Sequence, residues 1–134
     1  MLSLIDSDGE PYGVPVSYVF DRDGYIYFHS ATQGHKIDCI RAEPRCSFCV
    51  VDQDHIVPGE FTTYFRSVIA SGCVEIISDT EGILKGLRLL CDKYSPGIDP
   101  SAEIERCLGH VSILRMKILE ISGKEAIELI RASE

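Results

Sequence analysis

The stretch 25-YIYFHSATQGHKID-38 holds the chain's densest set of chemically useful side chains. An aromatic run ends in His29 and Ser30, small residues follow, and a His35–Lys36 pair closes the stretch. Imidazole can give or take a proton near neutral pH. A helix is predicted from about Gln33 to Ala42, with Thr32 as N-cap and Ile37 and Ile40 as its buried stripe. The first N–H groups of a helix lack intrahelical partners and carry partial positive charge. His35 and Lys36 add positive charge at that same end. A phosphate there would meet Ser30, Thr32, the free N–H groups and Lys36 at once. The plain alternative is a lysine that reaches into water.

Two other stretches place unusual residues on strands. From Tyr12 to Phe20 the residues alternate, with Tyr12, Val14, Val16, Tyr18 and Phe20 on one face. The opposite face offers Gly13, Pro15 and Ser17. Such a face packs poorly against side chains and marks either the close approach of a ligand or a plain edge strand facing water. Pro15 cannot donate to a ladder, which puts it at an edge or a bulge. In 62-TTYFRSVIASG-72, Arg66 shares the parity of Val68, Ala70 and Val74, the apolar side. A guanidinium there must be paired or sit at a rim, beside the hydroxyl of Ser67. A rim salt bridge is the plain alternative.

The elements that must position these residues follow from periodicity. A short apolar segment, Leu2 to Ile5, precedes the Tyr12–Phe20 strand. A turn over 21–24 returns the chain into a strand from Tyr25 to His29. Pro44 stops the helix, and Cys46 to Asp52 reads as a strand followed by a loop, DQDHIVPGE. Thr62 to Ile77 is a long strand. Glu81 to Tyr94 is an amphipathic helix with Ile83, Leu87, Leu90 and Tyr94 on one stripe. A loop with a short helical turn leads to a strand from His110 to Ile121. Ser122 and Glu125 fit a capping box that opens a last helix through Ile130. Helices do not alternate regularly with strands, which argues against a doubly wound parallel sheet. The expected fold is mainly β with peripheral helices: one domain over residues 1–134, a small antiparallel barrel with helices outside.

Composition narrows the partners. With 134 residues, 45% of them apolar, the chain can bury one core. A net charge of −8 argues against nucleic acid or an anionic membrane as partner. No apolar run reaches the roughly 20 residues of a membrane helix, and the start lacks the pattern of a secretory signal. The expected location is cytoplasmic, where the six cysteines stay reduced. Cys46 and Cys49 have C-x-x-C spacing, but three residues apart on a strand they diverge. The four histidines are scattered, and no metal site is expected.

The segments 11-PYGVPVSYVF-20, 27-YFHSATQGHKID-38, 63-TYFRSVIASG-72 and 122-SGKEA-126 together resemble the FMN-binding split-barrel family related to pyridoxamine 5′-phosphate oxidase, in its nitroimidazole-resistance branch. The resemblance implies a homodimer with FMN at the subunit interface. Val14, Pro15, Val16 and Ser17 would line the isoalloxazine. His29 and Ser30 would sit beside ring and phosphate, His35 and Lys36 would hold the phosphate, and Arg66 and Ser67 would approach the flavin, from either chain. The implied activity is reduction of small molecules such as nitroaromatics, with His29 as proton donor. The alternative is a flavin carrier or redox sensor without turnover. A related barrel using haem is a further reading, but His55 and His110 form no axial-ligand pattern. Two departures stand out. Relatives usually carry a helical segment before the first strand. The arginine-rich segment that grips pyridoxal phosphate in the true oxidase also has no counterpart here, which argues against that activity.

Overall fold

The computed structural model describes residues 1–133. The strands are β1 (Leu2–Ile5), β2 (Pro11–Val14), β3 (Val19–Phe20), β4 (Tyr25–Ala31), β5 (Arg45–Val57), β6 (Thr62–Ile77) and β7 (Val111–Glu125). The helices are α1 (His35–Ala42), α2 (Thr80–Tyr94), α3 (Ser101–Cys107) and α4 (Ile127–Ala132). A 3-10 turn, Pro58–Glu60, joins β5 to β6.

All seven strands form one sheet in the order β2-β1-β5-β6-β7-β4-β3, and every pairing is antiparallel. Strands β2 and β3 are the two free edges, yet only residues 15–18 separate them in sequence. The five links from Val14 to Val19 span at most about 18 Å. The edges must therefore approach each other, and the sheet curls into a barrel that stays open at one seam. This is a split barrel.

Strand β4 shows why its sequence reads as an unbroken greasy run. Ile26 and Phe28 point into the barrel, where Phe28 meets Phe48 edge-on at 5.0 Å. Tyr27 points the other way, under α2, with Ile83, Leu87, Leu90 and Ile113. Both faces are covered, so alternation gives way to continuous apolar character. Asp79 caps α2 by accepting from the Gly82 N–H at 2.8 Å. Gly86 lets α2 lie close to β7, because a Cβ there would stand 2.8 Å from Ile113. The β6–β7 register slips between Ser71 and Gly72. A Cβ on Gly72 would fall 1.8 Å from the Lys117 carbonyl oxygen, so only glycine fits this bend.

Five local expectations need correction. The Tyr12–Phe20 strand is broken at 15–18, where Pro15 lacks the N–H a ladder needs. As far as Tyr18 its burial nevertheless alternates as expected: Gly13, Pro15 and Ser17 are exposed, while Tyr12, Val14, Val16 and Tyr18 pack on the core; Phe20, expected on that face, is 57% exposed. The supposed loop DQDHIVPGE is mostly strand, since Gln53 to Val57 pair with Arg66 to Thr62 and form a projecting two-stranded arm. Ser122 to Glu125 are not a capping box but the end of β7, recruited by ladder pairing with Ile69 to Arg66. Helix α4 starts later, after Ala126. Gly34, with φ 135°, takes the N-cap place foreseen for Thr32. Tyr94 is half exposed rather than part of the buried stripe.

No described helix is long and apolar enough to cross a membrane.

Candidate functional site

The residues foreseen as one site fall into three places on this chain. The first is the start of α1. Its first helical hydrogen bond runs from the Asp38 N–H to the Gly34 carbonyl. The N–H groups of His35, Lys36 and Ile37 thus precede the ladder. Lys36 is half-buried, and among the described residues no carboxylate lies within salt-bridge distance of it. Burial alone pulls its ammonium below the ordinary lysine value. His35 is exposed and contacts the Tyr12 ring edge-on at 4.6 Å, which ties α1 to β2 at the seam. Thr32 is exposed beside this turn.

The second place is a cavity of about 370 Å³ between the outer face of β4, the end of α2, and α3. His29 and Ser17 both line it, with Tyr94, Cys91, Cys107 and Glu103. Burial, and then the Glu103 carboxylate 3.5 Å from its sulfur, push the Cys107 thiol up, so it is protonated near neutrality. Ser30 does not share this cavity. It follows His29 on the strand, faces the barrel interior and is 5% exposed, opposite the equally buried Ser112. His29 and Ser30 are therefore on opposite sides of β4.

The third place is the base of the arm. Arg66 and Ser67 line a groove of about 520 Å³ with Asp52, Lys124 and Glu125. The Arg66 Nε donates to Glu125 Oε2 at 2.7 Å, and both side chains are over a third exposed. This is the rim salt bridge that stood as the plain alternative. The apolar parity of β6 ends at Ala70, because beyond it Val68 is 38% exposed where the arm leaves the barrel. Between groove and barrel lies an almost wholly apolar hollow of about 240 Å³, walled by Phe20, Val50, Val68 and Ile121 among others.

Sequence reasoning missed Tyr94, Lys93, Cys91, Glu103 and Cys107. The two helix-end residues had a weak signal: a Lys–Tyr pair closing α2, whose stripe was otherwise aliphatic. Nothing in the spacing told that α3 would bring Glu103 and Cys107 to the same cavity.

A family described as pyridoxamine 5′-phosphate oxidase matches residues 2–125. The chain belongs to that family. No curated protein sequence matches it. Solved structures with the same fold include an FAD-binding protein of Mesorhizobium loti, with 29% identity, TM-score 0.64, and coverage of 93% of this chain and 83% of that one. A putative 5-nitroimidazole antibiotic resistance protein of Bacteroides thetaiotaomicron is 22% identical, with TM-score 0.72 and coverage of 91% and 73%. An FAD- and haem-binding protein of Mycobacterium smegmatis is also 22% identical, with TM-score 0.72 and coverage of 99% and 71%. The fold expected from sequence, an antiparallel split barrel, is the one observed.

Proposed function

We propose that this protein binds FMN and uses it to reduce small molecules, nitroaromatics being the first class to test. The observation that carries the reading is Lys36: a half-buried ammonium with no acidic partner among the described residues, at a helix start whose first N–H groups precede the helical ladder. That donor set suits a phosphate monoester. His35, Lys36 and the Thr32 turn would hold it. The exposed Gly13, Pro15 and Ser17 face of the seam gives a flat ring a place to lie without side chains in the way. Family membership and the 29% identical FAD-binding relative support a flavin over other cofactors.

Bound FMN would supply the electron transfer. The chain's own residues shape what surrounds it. Lys36 and the α1 amides neutralise the phosphate, and the Val14–Ser17 segment sets the ring's orientation. His29 faces an open cavity next to Ser17, where its imidazole can hold a proton for a substrate atom being reduced. Leu87 and Leu90 add an apolar part to the cavity lining.

We further propose a homodimer. The hollow walled by Val68, 38% exposed, and Ile121, 66% exposed, leaves an apolar surface uncovered. A two-fold interface would use it twice and bring one chain's Arg66–Ser67 groove to its partner's seam. Purified protein saturated with FMN, reduced by NAD(P)H or chemically and then mixed with a nitroaromatic, tests the reading. Oxidation of the reduced flavin coupled to loss of the nitro compound supports it. Tight FMN binding with no transfer would favour a carrier or sensor, and no binding of FMN would overturn the flavin reading.

A further inference from the structure

The four residues that span the seam, Pro15 to Tyr18, have no ladder partner on either side. A four-residue link outside any ladder is ordinarily loose. Here its last residue is held by two side chains from the far end of α2. The Tyr94 hydroxyl accepts the Tyr18 N–H at 3.0 Å and donates to the Tyr18 carbonyl at 2.9 Å. One hydroxyl thus satisfies both backbone groups of one residue, as a neighbouring strand would. The Lys93 ammonium donates to the same carbonyl at 2.6 Å and stands 3.4 Å from the centre of the Tyr18 ring. That ring also packs edge-on against Phe48 at 4.9 Å in the barrel core.

We infer that Tyr94 and Lys93 are positioning residues that fix the Pro15–Tyr18 segment in the open seam and so set the pose of the flavin ring that lies against it. The inference rests on the flavin reading above. Its geometry is local: Tyr18 is pinned by its backbone, by Lys93 over its ring and by Phe48 edge-on to it, and Ser17, one residue before, faces the His29 cavity that Tyr94 also lines. Motion of the α2 end would therefore move the ring-lining segment and the cavity wall together. Burial pushes the Tyr94 hydroxyl up, but the Tyr18 N–H that it accepts, together with the nearby Lys93 ammonium and Ser17, outweighs this and leaves it below the ordinary tyrosine value. The direction agrees with a hydroxyl among donors.

Tyr94→Phe keeps the ring and removes only the hydroxyl, at a half-exposed position where folding survives the change. Amide hydrogen exchange tests the clamp without any cofactor. The Tyr18 amide should exchange at least about tenfold faster in Tyr94→Phe, with the melting temperature nearly unchanged; equal exchange would overturn the clamp. FMN titration tests positioning. Affinity should fall about threefold to tenfold, the scale of one lost hydrogen bond. The visible band of the saturated variant should also shift or lose fine structure, which a merely structural role would not cause. Unchanged affinity and an unchanged spectrum at saturation would overturn the positioning role. Lys93→Met should show the same changes in weaker form, and no change at all in either measurement would remove Lys93 from the proposal. A wild type that binds no flavin would sink the flavin reading and the ring-positioning claim, while the exchange comparison would still decide the clamp.

Discussion

The start of α1 and the base of the β5–β6 arm each offer a cation beside hydroxyls, but the two cations are in opposite states. Arg66 already has a carboxylate, Glu125, at 2.7 Å, in a setting open to water. Lys36 is deeper and has none within reach among the described residues. A paired, exposed cation has little left to give an anionic ligand, and its pair contributes little to stability. A half-buried, unpaired one carries a desolvation cost that a bound anion would relieve. On the proposed FMN reading, the contrast favours α1 as the phosphate site and gives Arg66 a secondary part. Arg66 gains importance only if a second chain displaces Glu125 or brings the flavin to it.

The largest effect expected is on chemistry rather than binding. His29→Gln keeps bulk and one hydrogen bond, so FMN affinity should hold while oxidation of the reduced flavin by a nitroaromatic slows about 100-fold. Single-turnover rates from about pH 5 to 9, where imidazoles change charge, would show it. Equal rates for mutant and wild type would leave His29 a cavity wall and favour the carrier reading.

Next come the two cations themselves. Lys36→Ala should weaken FMN binding by about 1.5–3 kcal/mol, the scale of a charge-assisted hydrogen bond. Arg66→Ala should cost less than about 1 kcal/mol, since its charge is already shared with Glu125. Fluorescence titration of both variants ranks them, and a larger loss at Arg66 would reverse the assignment and place the phosphate at the arm.

A smaller effect is readable without cofactor. The folded pKa of Lys36 lies below its unfolded value near 10.5. Between the two, the unfolded chain binds the proton and the folded chain does not. The Lys36 contribution to apo-protein stability should therefore rise with pH through that window, and the desolvation cost is fully present below it. Denaturant melts of wild type against Lys36→Met, from neutral pH to about 10.5, isolate the difference. A flat difference would mean the ammonium is better solvated than its burial implies.

Much of this was legible in the sequence, and most of the failures share a cause. The β4 strand, the α1 helix with its Lys36 start, β6 and the α2 helix follow from local periodicity and hold. The exposed Gly13, Pro15 and Ser17 face also follows, because alternation survives even where the ladder does not. Most of what failed depended on partners far away in sequence. Ser122 to Glu125 read as a helix start until β6 claimed them for its ladder. Gln53 to Val57 read as loop because an exposed two-stranded arm needs no apolar alternation. Tyr94 read as core because its helical spacing is right; its hydroxyl is instead committed to Tyr18, 76 residues away. His29 and Ser30, read as one functional pair, are a different case that needs no distant partner: adjacent residues on a strand face opposite sides, and strand periodicity alone separates them.

The most direct test of the central claim compares FMN with riboflavin, which lacks only the phosphate. Titration of both into wild type and into Lys36→Ala isolates what the α1 start contributes. The account predicts that wild type prefers FMN by about 1.5–3 kcal/mol and that Lys36→Ala loses most of that preference. Equal affinity of wild type for FMN and riboflavin would contradict it.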